Sequence, residues 1–214
     1  MRVAIVHDDL VQWGGAERVL EGICEIYPDA PIFTSVFDKS NKELVKRFGS
    51  KKIVTSFLSR IPYWRSMYKV LLPLYSIAFE QFSFDEFDLV ISNTTRFAKS
   101  IITKPKTIHI CYCHTPPRFL WGLSNYKLNP LLYGLMNKLK HYDQVTANRV
   151  DHFIAGSENA KNRIKKIYKR DSKVVYPFID FARFENIETF DGGYAVVVAR
   201  RTSYKRVDLI EKAC

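Results

Sequence analysis

The chain is poor in the features that mark several large protein classes. Its 214 residues hold four cysteines, Cys24, Cys111, Cys113 and Cys214, and no Cys-x-x-Cys pair. Cys111 and Cys113 would project from the same side of one strand, so a disulfide framework is not expected, and reduced thiols fit the cytoplasm. No apolar run approaches the roughly 18–20 residues needed to cross a bilayer. The opening residues Met1 to Asp9 lack the apolar region of a signal peptide. The expectation is a cytoplasmic protein, free or held peripherally on the inner face of the membrane. Acidic residues are scarce, with 22 Asp and Glu against 33 Lys and Arg and a net charge of +11. That surplus favours an anionic partner: nucleic acid, an anionic membrane face or phosphorylated substrates. No nucleic-acid-binding motif is present and the positive charge is dispersed, which argues against nucleic acid. The Gly-x-Gly-x-x-Gly fingerprint is missing after the first strand, which argues against a nicotinamide cofactor. There is no fixed-period repeat and no low-complexity tract.

What is present is ample core material. Hydrophobic residues make up 47% and aromatics 14% of the chain, which disfavours global disorder. Short apolar runs predict strands at Arg2–His7, Pro31–Phe37, Lys52–Thr55, Phe87–Ser92, Thr107–Tyr112, Asp151–Ala155, Lys173–Tyr176 and Tyr194–Ala199. Between them, helical patterning predicts Ala16–Tyr27, Lys42–Phe48, Tyr63–Phe82, Pro130–Val150 and Glu158–Lys169. Strands alternating with helices imply an α/β, Rossmann-like parallel sheet with helices on both faces. Tyr176-Pro177 ends a strand and Gly192-Gly193 supplies a turn. The domain reading is therefore 1–177 as one Rossmann-like unit, 178–192 as a linker and 193–214 as the first βα unit of a second.

Several constellations could carry chemistry. His7-Asp8-Asp9 runs through Gly14-Gly15 into a helix near Ala16. Paired glycines let backbone N–H groups approach an anion at a helix start; the competing reading is a tight βα turn. His114 follows the fifth strand at its carboxyl end, where open α/β sheets bind ligands, and Pro116 and Pro117 stiffen the loop. Cys111, Cys113 and His114 lack a second ligand pair, so zinc is disfavoured and no metal is expected. Asn93 and Thr94, in Ser92–Lys99, could cap a helix or meet a ligand's hydroxyls. Arg60–Ser83 interleaves cations with Tyr63, Trp64, Tyr68, Tyr75, Phe79 and Phe82 around Pro73. It reads as either a membrane-interfacial helix or a core helix. Lys161–Lys173 carries seven basic residues and one acidic residue, a solvated face or an attraction to anionic lipid. Arg200 would end the last strand and Lys205 would open a helix, two cations suited to a diphosphate.

Taken together, these motifs resemble those of retaining GT-B glycosyltransferases of family 4, in particular the mannosyltransferase-like enzymes of surface polysaccharide biosynthesis. The resemblance runs along the chain through His7-Asp8, Gly14-Gly15-Ala16-Glu17-Arg18, Pro28-Asp29-Ala30-Pro31, Phe87-Asp88-Leu89-Val90-Ile91-Ser92, His109 to Pro116, Arg149 to Ala155, Val175-Tyr176-Pro177 and Tyr204-Lys205-Arg206-Val207-Asp208. It implies two Rossmann-like domains facing across a cleft, of which this chain carries the amino-terminal, acceptor-side domain and the start of the donor-binding one. By the same resemblance, Gly14 and Gly15 line the donor phosphate region, His114 contacts the transferred sugar, and Arg200 and Lys205 neutralise the departing diphosphate. Asn93, Thr94 and Arg118 become acceptor-side candidates. The implied substrates are a nucleotide-sugar and a lipid-linked or polysaccharide acceptor, with no cofactor and no metal. The family's later glutamate pair would fall beyond Cys214, so this chain is expected to be inactive alone. The alternative is a non-catalytic domain that binds carbohydrate or a partner.

Overall fold

The computed structural model describes residues 1–64, 71–123, 133–179, 185, 192–199 and 207–213. Its centre is a seven-stranded sheet in the order β3-β2-β1-β4-β5-β6-β7. The strands are β1 (Val3–His7), β2 (Ile32–Thr34), β3 (Ile53–Thr55), β4 (Leu89–Thr94), β5 (Ile108–Cys113), β6 (His152–Ala155) and β7 (Ser172–Val174). Every pairing is parallel.

Alternation along the central strands explains the two-sided burial. Val3 and Ile5 of β1, with Leu89 and Ile91 of β4, join one apolar cluster. Ala4 and Val6 of β1, with Val90 of β4, join another. Successive strand side chains point to opposite faces, so both faces must be covered by helices. Helices α1 (Gly15–Ile26) and α2 (Lys42–Phe48) cover the first through Leu20, Cys24, Leu44 and Phe48. Helices α3 (Leu72–Glu80) and α4 (Tyr133–Ala147) cover the second through Tyr75, Phe79, Met136 and Leu139. Helix α5 (Glu158–Tyr168) packs Ala160, Ile164 and Tyr168 over Cys111, Cys113 and Phe153. The Ser157 hydroxyl caps α5 by accepting from the Ala160 N–H at 3.1 Å.

The chain runs from β1 outward through β2 to β3, crosses back to β4 on the other side of β1, and then continues outward to β7. The reversal of strand order between β1 and β4 opens a crevice at their carboxyl ends, the place where open α/β sheets bind ligands. That crevice is the centre of the site below.

Two expectations are corrected and one open alternative is decided. Tyr194–Ala199 is not a strand: residues 192–199 are exposed and without regular structure. No strand among the described residues lies beside it, and a lone strand leaves its backbone groups unpaired. A helix, α6 (Val207–Ala213), does follow. The predicted helix Tyr63–Phe82 does not run through Pro73: α3 begins at Leu72 with Pro73 in its first turn, where the missing N–H costs nothing. Finally, Tyr75, Phe79 and Phe82 are buried in the core, which decides for the core reading of those rings over the interfacial one. Of the same stretch, Tyr63 is exposed, and Tyr68 lies outside the described residues.

Candidate functional site

Three elements meet at the switch point. Strand β1 ends in His7 and continues through Asp8 and Asp9. The loop after β4 carries Thr95 and Arg96, and β5 ends one residue before His114. With Gly14 to Glu17 of α1, Arg118 and Phe119, they surround an open cavity of about 340 Å³.

The start of α1 faces this cavity without a side-chain cap. Gly14 is its N-cap residue, in extended conformation, and no side chain accepts from the first turn. The orphan N–H groups and the positive end of the helix therefore remain available to an anion. A side chain at Gly14 would crowd the helix's own carboxylate, since a Cβ there would stand 3.1 Å from Glu17 Oε2.

Asp8 has an internal task. Its buried carboxylate accepts from the backbone N–H groups of Thr95, Arg96, Phe97 and Ala98 at 2.6–2.9 Å, and from the Thr94 and Thr95 hydroxyls at 2.9 and 3.1 Å. Burial opposes its charge, but Arg96, His7 and the backbone donors outweigh burial and lower its pKa. Asp8 thus ties the β4 loop to β1 and has little capacity left for a ligand. The adjacent Asp9 pairs with the Arg96 guanidinium. Burial raises the Asp9 pKa even so.

A second set of polar groups links α1 to His114. His7 Nδ1 lies 3.2 Å from the Asn93 carbonyl oxygen, and its Nε2 lies 3.5 Å from Glu17 Oε1. Burial works against a charge on His7, but Glu17, Asp8 and Asp9 together raise its pKa. Asn93 Nδ2 donates to the Ala16 carbonyl at 2.8 Å, and Asn93 Oδ1 lies 2.7 Å from His114 Nε2. The His114 N–H donates to the Thr94 carbonyl at 3.0 Å, and its ring meets Tyr112 edge-on at 5.0 Å. Burial, with the charge of His7, pushes the His114 pKa down to about 4. Glu17 Oε2 is buried with no hydrogen-bond partner in the protein.

Of the residues singled out in the sequence, Gly14, Gly15, His114 and Arg118 all line the cavity. Asn93 and Thr94 are fully buried beneath it, engaged by His114 and Asp8 respectively. Arg200 and Lys205 lie outside the described residues. Sequence reasoning quoted Asp9, Glu17 and Arg96 within candidate stretches but gave none of them a role in the site. The signal for Glu17 was its place in the first turn of α1, directly after the glycine pair. The Arg96–Asp9 pairing spans 87 residues and leaves no local signal. Cys111 and Cys113 are buried and burial raises both thiol pKa values, so they belong to the core. Among the described residues, no cluster of three His, Cys, Asp or Glu side chains could hold a metal, and no helix is long and apolar enough to cross a membrane.

An uncapped helix start, the Arg96 and Arg118 side chains and a neutral imidazole thus meet at a switch point of an α/β sheet. The chain belongs to glycosyltransferase family 4, whose model matches residues 13–183. Among solved structures, it is similar in fold to Anabaena HepE in complex with UDP, at 16% identity and a TM-score of 0.51, covering 85% of this chain and 45% of that one. The HepE structures with UDP-glucose and with UDP and glucose match at 18% and 17% identity, each with a TM-score of 0.50 and 85% of this chain covered. They are covered over 45% and 46% of their own length, so this chain spans less than half of them. No curated protein matches the chain.

Proposed function

We propose that this chain is the acceptor-side domain of a retaining glycosyltransferase. The enzyme moves a hexosyl group, with mannose the first candidate, from a nucleotide-sugar to a lipid-linked or polysaccharide acceptor in surface polysaccharide biosynthesis. The observation that carries the reading is the cavity itself, in a chain of this family: the open start of α1 forms one wall and His114 another. Gly14 and Gly15 accept the donor's phosphate region through backbone N–H groups. His114, held neutral, meets a hydroxyl of the transferred sugar. Arg200 and Lys205 stabilise the departing diphosphate, an electrostatic task that needs no metal. That HepE structures hold UDP and UDP-glucose supports a nucleotide-sugar as donor. A lipid-linked acceptor would place the domain on the anionic inner face of a membrane, with its cationic surface toward the lipid.

The test is transfer from labelled GDP-mannose and UDP-glucose, with the anomeric configuration of product read by NMR. The chain alone is expected to show no turnover. In a protein where it is joined to a donor-binding domain, His114→Ala lowers kcat more than it raises KM, by an amount worth about 2–4 kcal/mol. Robust turnover by the chain alone, or an unchanged kcat in a folded His114→Ala variant, overturns the reading.

A further inference from the structure

The hydrogen bonds around Asn93 settle a question of chemistry at His114. Asn93 lies in β4 in register with His7 of β1 on one side and Tyr112 of β5 on the other. Its side-chain amide therefore sits at the switch point, fully buried and facing groups from two other elements. One branch of the amide stands 2.8 Å from the Ala16 carbonyl oxygen. A carbonyl only accepts, so that branch must be the NH₂ group. The other branch is then the amide oxygen, 2.7 Å from His114 Nε2. An amide oxygen carries no hydrogen, so Nε2 must supply it. A neutral imidazole has one N–H, and the Nδ1 of His114 is left as an acceptor.

We infer that Asn93 is a positioning residue that holds His114 in its Nε2–H tautomer and so fixes Nδ1 as the ring's hydrogen-bond acceptor. Burial and the charge of His7 disfavour a second proton on the ring and outweigh Asp8 and Glu17, which favour one. The only ring packed against it is the uncharged Tyr112 among the described residues. The consequence is selectivity. A hydroxyl group can donate to Nδ1, whereas a phosphate oxygen that only accepts finds no partner there. On the proposed reading of the cavity, His114 contacts sugar hydroxyls, and diphosphate recognition falls to α1 and the cationic side chains. Asn93 thus acts through His114 rather than on the substrate, which moves it from an acceptor-side candidate to the support of a contact with the transferred sugar.

The experiment is long-range ¹H–¹⁵N correlation NMR on the 214-residue chain labelled at its five histidines. His114 is assigned by its loss in His114→Gln. The expected result is an Nε2–H tautomer for His114 with no titration from roughly pH 8 to pH 5.5, a range in which an ordinary histidine would gain a proton. Asn93→Ala should give a mixture of tautomers. Asn93→Asp, closer in shape, should raise the His114 pKa by at least about one unit by placing a carboxylate against Nε2. An Nδ1–H tautomer or a charged ring at pH 7 in the wild type overturns the inference. So does an unchanged tautomer in folded Asn93→Ala, or an unshifted His114 in folded Asn93→Asp. None of these readings depends on turnover, so failure here is distinct from failure of the glycosyl-transfer proposal.

Discussion

The Asp8 carboxylate reaches the backbone N–H of Ala98, 2.8 Å away and 90 residues along the chain. It is one contact in a cage of four backbone amides and two hydroxyls from residues 94–98. The cage places the β4 loop, and with it Arg96, beside the cavity. An amide in place of the carboxylate would aim an NH₂ group at N–H donors. Charge-assisted bonds are about twice as strong as neutral ones, and an unpaired buried donor costs about 1–3 kcal/mol. Asp8→Asn is therefore expected to lose about 2–4 kcal/mol of stability, measured by urea denaturation. A loss within about 0.5 kcal/mol, the near-neutral range of surface substitutions, would show that the loop holds itself without Asp8.

Further from the cavity, Lys99 and Asp143 form a fully buried ion pair. Asp143 also accepts from Trp121 Nε1 at 2.7 Å and from the Tyr168 hydroxyl at 2.9 Å. Lys99 reaches the Arg96 carbonyl at 3.3 Å. The pair joins the β4 loop, α4 and α5. Two buried charges are costly to place but far costlier to separate, at about 3–5 kcal/mol when one partner is removed. Lys99→Met should show a loss in that range by thermal or chemical unfolding. Adding Asp143→Asn should recover part of it, because the amide no longer strands a charge. If the double variant is no more stable than Lys99→Met, the stranded charge is not the source of the loss.

The pH dependence follows from two buried histidines. Burial pushes His109 and His114 each from 6.5 down to about 4. Between those values the unfolded chain binds more protons than the folded one, so stability rises with pH through the window. It is fully present above 6.5 and is lost as the pH falls toward 4. Each group contributes on the order of 3 kcal/mol as an upper bound. His7 has the opposite sign: its raised pKa adds stability below 6.5 that fades as the pH rises through its folded value. Urea midpoints measured from about pH 8 down to about pH 4 should fall on the acid side, and His109→Gln should flatten that fall. A wild-type midpoint that does not fall toward acid would be incompatible with two neutral buried rings.

The strand and helix order was legible because both apolar periods are strong in this chain. Ala4, Ile5 and Val6 are apolar on both faces, as a doubly covered strand requires. Gly14, Gly15 and His114 could be placed at strand ends from spacing alone, and they do line the cavity. The side-chain network was not legible. Asp8 holding residues 95–98, or Asn93 aligning His114, depends on β1, β4 and β5 lying side by side, and no local pattern encodes that adjacency. Tyr194–Ala199 shows the converse error: an apolar run carries strand propensity, but a strand needs a neighbour, and these residues lie exposed.

Burial of the aromatic stretch changes what membrane binding should look like. Tyr75, Phe79 and Phe82 pack in the core and are not available to enter a bilayer. Toward the end of α5 and into β7 the solvent face is cationic: Lys165, Lys166, Lys169 and Lys173 are all exposed, with Asp171 near Lys165 at 3.1 Å. Each basic residue near an anionic surface contributes about 1 kcal/mol, and salt screens that attraction. The domain should therefore co-sediment with phosphatidylglycerol vesicles at low salt and be released almost entirely at about 0.5 M salt, where the screening length is a few ångströms. Lys165→Glu with Lys166→Glu and Lys169→Glu should abolish binding, whereas Tyr63→Ala and Trp64→Ala should leave it unchanged. A fraction that stays bound at high salt and disappears in Trp64→Ala would place the contact in residues 60–70 and restore the aromatic-insertion reading. No binding at low salt would leave the basic face as solvation alone.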